Sequence, residues 1–395
     1  MTSPEKIIIN ANVITSDGII WDGYVRFRRK ILDVGRACEI NRQEDCEIID
    51  ARGKYVAPGL IDVHNHGTGY YNFNEDPLYC CERIIKHGVT TVLPTLYTSL
   101  TLDDMLEAAE KIRKFRQTGV GRIMNGLYME GPYMDSSLGS YSDLMKWAGL
   151  INPDDYIRLV DGVSDIARVW AIDPAREGIT DFMKYVRRKS PYAVFSLGHS
   201  SATFEQCESV ACFGISLQTH HGDSGKAKGK AQATIGAGCD EYTLYHPDIF
   251  AEIICDEVGI HLTPGTIRTV IRTKGVEKII LISDSFCSKK ENSNNAEKGI
   301  AYGPDLNYDD QGLLAGSRLM LDAACRNVMK HSGYGLCHAI RFATLNPAKM
   351  LGIDDTVGSI LPGKTANLII IDDRVNVDTV YLEGEKAVQN GEICI

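Results

Sequence analysis

Eight short apolar runs, rich in β-branched residues and each ending in polar ones, recur along the middle of the chain. They lie at residues 59–63, 90–96, 122–129, 167–172, 192–197, 215–219, 250–255 and 278–283. Between them are amphipathic stretches with helical spacing, at 76–86, 102–116, 154–163, 180–189, 203–213 and 264–273. A strand that is apolar on both faces needs cover on both sides, and alternating helices supply it. Eight strand–helix units point to an α/β fold of the (β/α)8, TIM-like barrel type. A doubly wound open sheet is the alternative.

The ends read differently. The first 57 residues suggest short strands at 6–10, 12–15, 24–28 and 31–34, with Asp17-Gly18 and Asp22-Gly23 as turn dipeptides. The C-terminal stretch repeats the pattern at 367–371 and 377–382, before a turn at Glu383-Gly384. The expectation is a barrel over 58–359 and one small β-domain built from 1–57 together with 360–395. Composition narrows the class further. The chain has 395 residues, 44% hydrophobic and 24% charged, which excludes general disorder. Its net charge of −10 argues against nucleic acid and anionic membrane as partners. No apolar run reaches the ~18 residues of a membrane span. The N-terminus lacks the basic and apolar regions of a signal peptide. The twelve cysteines contain no CxxC pair and read as reduced, mostly buried thiols of a cytoplasmic protein.

The chemistry sits at the strand ends. The first run closes in Asp62-Val63-His64-Asn65-His66, and residues i and i+2 of a strand share a face, so two imidazoles can aim at one point. The third run ends at Glu130, the fifth at His199, the sixth at His220 and the eighth at Asp284. All six fall on the C-terminal face of the expected barrel, where this fold carries its active sites. One histidine at a strand end is ordinarily a satisfied polar residue. Four histidines and a glutamate on one rim suit a borderline-soft divalent ion such as Zn2+. A bound divalent ion acidifies water and polarises a carbonyl, and Asp284 is the carboxylate placed to move the proton. The bland reading of Asp284 is a helix N-cap.

At these residues the chain resembles the N-acetylglucosamine-6-phosphate deacetylases of the amidohydrolase superfamily. The matching stretches are Ala57-Pro58-Gly59-Leu60-Ile61-Asp62-Val63-His64, Glu130-Gly131-Pro132, Gly198-His199-Ser200, Thr219-His220, Leu313-Leu314-Ala315-Gly316-Ser317, Arg326-Asn327-Val328 and Asn346-Pro347-Ala348. The resemblance implies a barrel with a small β-sandwich formed by both termini, and a homodimer. It also implies that Glu130, His199 and His220 hold the principal metal. His64 and His66 would hold a second, bridged by Glu130, so one or two zinc ions are expected. Asp284 would be the acid/base, and His261 would contact substrate near the scissile carbonyl. The implied reaction removes acetate from an N-acetyl amino sugar, its 6-phosphate or the galacto epimer.

The segment after His220 departs from the family pattern. The family reads Thr-His-Leu-Phe-Asn-Ala-Met there, whereas this chain continues His221-Gly222-Asp223-Ser224-Gly225. Asp223 stands where an asparagine is expected. A carboxylate beside a phosphate dianion is repulsive by about 1–4 kcal/mol at effective dielectrics of ~80 to ~20. Lys226, Lys228 and Lys230 follow directly and either offer compensation or form a solvated charged loop. His221, Asp223 and Lys226 are therefore the candidate contacts to the far end of the substrate. An amidohydrolase acting on another amide, or a non-catalytic barrel scaffold, are the competing readings. Gly358–Thr365 fits G-x-x-x-x-G-K-T, but a strand is expected after it rather than a helix, so no nucleotide cradle is read.

Overall fold

The computed structural model describes residues 4–40, 46–140, 144–223, 225, 236–288, 303–309 and 311–395. Eight parallel strands stand side by side in chain order: β1 (Leu60–Asn65), β2 (Val89–Tyr97), β3 (Leu127–Glu130), β4 (Ala167–Ile172), β5 (Val194–Leu197), β6 (Ile215–Gln218), β7 (Phe250–Ile254) and β8 (Ile279–Ile282). The loop beyond β8 returns to β1 at the C-terminal ends. The Asp284 amide donates to the His64 carbonyl at 3.0 Å, and the His66 amide donates to Ser285 at 2.9 Å. This closure makes the sheet a barrel and removes the open-sheet alternative.

A helix follows each strand: α1 (Pro77–Ile85), α2 (Leu102–Phe115), α3 (Pro153–Val163), α4 (Ile179–Lys189), α5 (Phe204–Val210), α6 (Cys239–Tyr245), α7 (Pro264–Lys274) and α8 (Leu321–Ser332). Several begin at side-chain caps, as where Asp76, Thr101, Asn152, Thr203 and Thr263 accept first-turn amides. Their apolar faces and the strands share one continuous core. The sequence expectation lacked α6, α8 and the two short helices that follow, α9 (Leu336–Phe342) and α10 (Leu345–Leu351). It also ran the third strand too long. Residues 119–123 form a tight 3-10 turn, and a Cβ on Gly121 would lie 2.0 Å from the Phe115 carbonyl oxygen.

Both termini build one nine-stranded sheet. Its joint is Tyr55–Pro58 running antiparallel to Leu368–Ile371. Phe27 and Tyr381 lie four strands apart in the pairing order, roughly 19 Å if the sheet were flat. Their rings are nevertheless 5.2 Å apart. The sheet therefore curls over a second apolar core of its own, which gives it the character of a sandwich. The expected strands 6–10 and 12–15 are a single strand, Lys6–Thr15. Asp22-Gly23 is not a turn. It lies inside the strand Gly18–Phe27, at an irregularity where the pairing register shifts and Asn10 and Asp22 take φ of 52° and 47°.

The loop at 358–365 is no phosphate cradle. Lys364 donates to Ser359 Oγ at 2.7 Å, and a strand follows it. All twelve cysteines carry free thiols. Among the described residues, no helix is long and apolar enough to cross a membrane.

Candidate metal centre

Glu130 ends β3 inside the mouth of the barrel and is 2% exposed. Its two oxygens face two different donor pairs. Oε1 lies 2.9 Å from His199 Nε2 and 3.0 Å from His220 Nε2. Oε2 lies 3.0 Å from His66 Nε2 and 3.6 Å from His64 Nε2. The ligand-type atoms of His64, His66 and Glu130, and those of Glu130, His199 and His220, each fall within 4.8 Å of one another. Asp284 Oδ1 is 3.4 Å from His64 Nε2 and 3.3 Å from His66 Nε2. The strand ends thus bring together all six residues read from the sequence.

The backbone bends to do this. His199, His220 and Asp284 have φ of 42°, 29° and 46°, a region that non-glycine residues seldom occupy. Such strain persists where the surroundings over-determine it. Gly139 packs directly on the His199 ring, and a Cβ there would be 2.6 Å from Cε1. Gly316, at φ 56°, lies against Asp284, and its Cβ would be 2.6 Å from the Asp284 carbonyl oxygen. The Leu-Ala-Gly-Ser stretch therefore serves as a support behind Asp284, which the Ser317 amide reinforces by donating to the Asp284 carbonyl at 2.7 Å.

The donor set fits a divalent cation. His199 and His220 turn their Nε2 atoms to within 3.1 Å of each other, and His64 Nε2 is buried with no hydrogen-bond partner. Burial opposes charge on His64, His66 and His220, yet the Glu130 and Asp284 carboxylates outweigh it and raise all three, His220 to about 9. Burial likewise opposes charge on Glu130 and Asp284. The surrounding imidazoles outweigh it again, holding Glu130 well below the usual carboxylate range and lowering Asp284. These carboxylates demand positive charge at this point. Protons on the rings meet that demand, and a divalent cation that replaces them meets it better.

Tyr97, Ser140, Asp223, Phe286 and the 314–316 segment wall the pocket around this cluster. Of the four candidate substrate contacts, Asp223 is on that wall. His261 is buried nearby. Its ring Nδ1 lies 3.2 Å from Asp256 and its Nε2 has no hydrogen-bond partner. Burial opposes charge on the ring, but the Asp256 hydrogen bond and the nearby Asp223, Asp256 and Asp284 charges together outweigh it and raise its pKa. His221 is not brought to the pocket. Its ring turns to Gln218 and Asp240 instead. Lys226, like Lys228 and Lys230, lies outside the described residues. Sequence reasoning missed Glu252 on β7, which lies 3.3 Å from His64 Nδ1. It also missed Tyr97, Ser140 and Phe286, which carried no motif. A larger cavity of about 360 Å3 sits at the opposite end of the barrel, where Arg341 is already paired with Glu277.

A model of the amidohydrolase family matches residues 55–390. The chain belongs to that family. It is 26% identical to the N-acetylgalactosamine-6-phosphate deacetylase of Escherichia coli O157:H7 over 360 residues, 86% of this chain and 89% of the relative. The N-acetylglucosamine-6-phosphate deacetylase of Haemophilus influenzae is also 26% identical, over 96% of this chain and 98% of its own. The solved structure of N-acetylglucosamine-6-phosphate deacetylase from Pasteurella multocida shares the fold, with a TM-score of 0.84 over 97% of this chain and 99% of that one at 24% identity.

His261 is held by a carboxylate whose own behaviour is measurable. Asp256 accepts the amides of Val258, Gly259, Ile260 and His261 as well as the His261 ring. Burial pushes its pKa up, but the His261 ring and these amides prevail and hold it at about 2. A depressed carboxylate contributes stability above its unfolded value near pH 4 and loses it as pH falls towards 2. Urea unfolding of the wild type and Asp256→Asn should therefore differ by about 2 kcal/mol at pH 6. That gap should close progressively between pH 4 and pH 2, whereas a gap independent of pH contradicts the assignment.

Proposed function

We propose that this amidohydrolase is a metal-dependent deacetylase that hydrolyses the acetamide of an N-acetyl amino sugar phosphate. N-acetylglucosamine-6-phosphate, or its galacto epimer, is the substrate in this reading, and acetate and the amino sugar phosphate are the products. The observation that carries it is Asp284 beside a buried carboxylate shared by two imidazole pairs. The two deacetylase relatives, matched over most of their length, supply the substrate class.

In this reading Glu130, His199 and His220 would hold one zinc ion, and His64, His66 and Glu130 would hold a second. When bound, the metal acidifies water and polarises the acetamide carbonyl. Asp284 is ionised, since the neighbouring imidazoles lower its pKa. It accepts the proton of the attacking water and returns it to the departing amine nitrogen. With its Nδ1–H held by Asp256 and its pKa raised, His261 is an imidazolium in this reading, and its Nε2–H would donate to the substrate near the carbonyl. Tyr97 and Phe286, with ring centroids 5.8 and 5.1 Å from that of His66, help keep bulk water from that imidazole. Free thiols throughout support a reducing, cytoplasmic setting, and the family resemblance supports a homodimer.

Asp223 on the pocket wall favours one second reading: the same hydrolysis on an unphosphorylated N-acetyl sugar, where no dianion meets the carboxylate.

Asp284→Asn should retain zinc while kcat falls by at least about a hundredfold. Near-normal turnover in this variant removes Asp284 from the chemistry. Acetate release should be measured across N-acetylglucosamine-6-phosphate, its galacto epimer and the plain sugars. Release from the phosphates that chelator abolishes and zinc restores supports the first reading, and release confined to plain sugars supports the second. No release from any N-acetyl hexosamine overturns both.

A further inference from the structure

Glu252 has no place in the chemistry described above, yet it is fully buried in the middle of an otherwise apolar strand, β7. A carboxylate at 0% exposure is costly unless its surroundings compensate it. Its Oε2 has three neighbours, all belonging to the site. His64 Nδ1 lies 3.3 Å away, the backbone amide of His220 donates at 3.3 Å, and the Tyr128 hydroxyl donates at 3.5 Å. Tyr128 is held in turn, because its hydroxyl lies 2.7 Å from Thr219 Oγ1, which lies 2.7 Å from Ser196 Oγ. The Tyr128 ring also packs on the His64 imidazole with centroids 4.5 Å apart.

This arrangement has a direct consequence for His64. An imidazole beside a carboxylate carries its proton on the nitrogen that faces it. With a cation in place of the Nε2 proton, the one ring proton left is on Nδ1, where Glu252 would accept it. Nε2 is the atom with no hydrogen-bond partner, and it points at Glu130 and Asp284. A carboxylate on the far nitrogen fixes the ring's orientation and makes it a better donor. His66 has no such carboxylate behind it. Its Nε2 faces Glu130 and Asp284, and no ion pair engages its Nδ1 among the described residues.

We propose that Glu252 is the positioning residue that fixes the tautomer and orientation of His64, and that it thereby gives the His64–His66 donor pair its affinity for a second divalent ion. The inference rests on the two-ion reading of the site and is independent of which sugar is the substrate. The His199–His220 pair depends on Glu252 less, since only a backbone amide of His220 reaches it.

The test uses the full chain, stripped by chelator and reloaded with zinc. The two zinc dissociation constants are read by competition with a chromophoric chelator, and stoichiometry by elemental analysis. His66→Gln identifies which ion belongs to the His64–His66 pair. In Glu252→Gln the dissociation constant of that ion should rise by about 10- to 100-fold, and that of the other should change by less than about threefold. Unchanged constants overturn the inference, and so does equal weakening of both, which is what a merely structural role produces. A wild-type chain that takes a single ion also overturns it. A second measurement does not depend on the variant folding. In zinc-loaded wild-type protein labelled with nitrogen-15 histidine, His64 should carry its ring proton on Nδ1, and a proton on Nε2 overturns the inference. Failure of acetate release with two ions bound strikes the substrate reading alone.

Discussion

The mouth of this barrel is organised around one buried negative charge. Glu130 is almost wholly removed from water, and an ionised carboxylate in that position is stable only if positive charge comes to it. Four imidazoles do so, two on each oxygen. The other features of the site follow from this demand. The left-handed backbone at His199 and His220 turns those rings inward to meet Oε1. Glycines stand where the walls press closest, because Gly139 and Gly316 lie against His199 and Asp284 with no room for a methyl group.

Holding such a cluster needs a frame that does not yield, and the barrel supplies one. Strands β1, β3, β5 and β6 deliver the ligand-type side chains, while β7 and β8 deliver Glu252 and Asp284. The same residues that form the site also close the sheet, since the amide of Asp284 bonds to the carbonyl of His64 and the amide of His66 to that of Ser285. Buried Ser283 and Asp62 tie the two strands a second time through a 2.6 Å hydrogen bond. Burial raises Asp62 above the usual carboxylate range, even with Ser283 and Asn65 donating to it. Architecture and chemistry are therefore not separable at this seam.

Much of this was legible in the sequence, for identifiable reasons. Strand ends are marked by a change from apolar to polar residues, so His64, His66, Glu130, His199, His220 and Asp284 announced themselves. The period of two placed His64 and His66 on one face. Glu252 was invisible because a single acid in the run Phe250–Ile254 gives no sign of what it faces. Its role depends on His64, 188 residues away. The turn expected at Asp22-Gly23 failed because the same dipeptide serves a strand irregularity, and only the pairing of Gly23 with Ala11, beside the left-handed Asn10, distinguishes the two. Helices α8 to α10 escaped because they follow the eighth strand, where counting strand–helix units had already stopped. His221 looked like a site residue by adjacency alone, and its buried ring turns away from the pocket to Gln218 and Asp240.

The seam also sets an order in time. His64 leaves the ribosome about 220 residues before Asp284, and strands β2 to β8 are synthesised between them. Until the last strand has returned to the first, Asp284 is missing from beside the His64–His66 pair. The six side chains of the site are therefore complete as a set only once the barrel has closed.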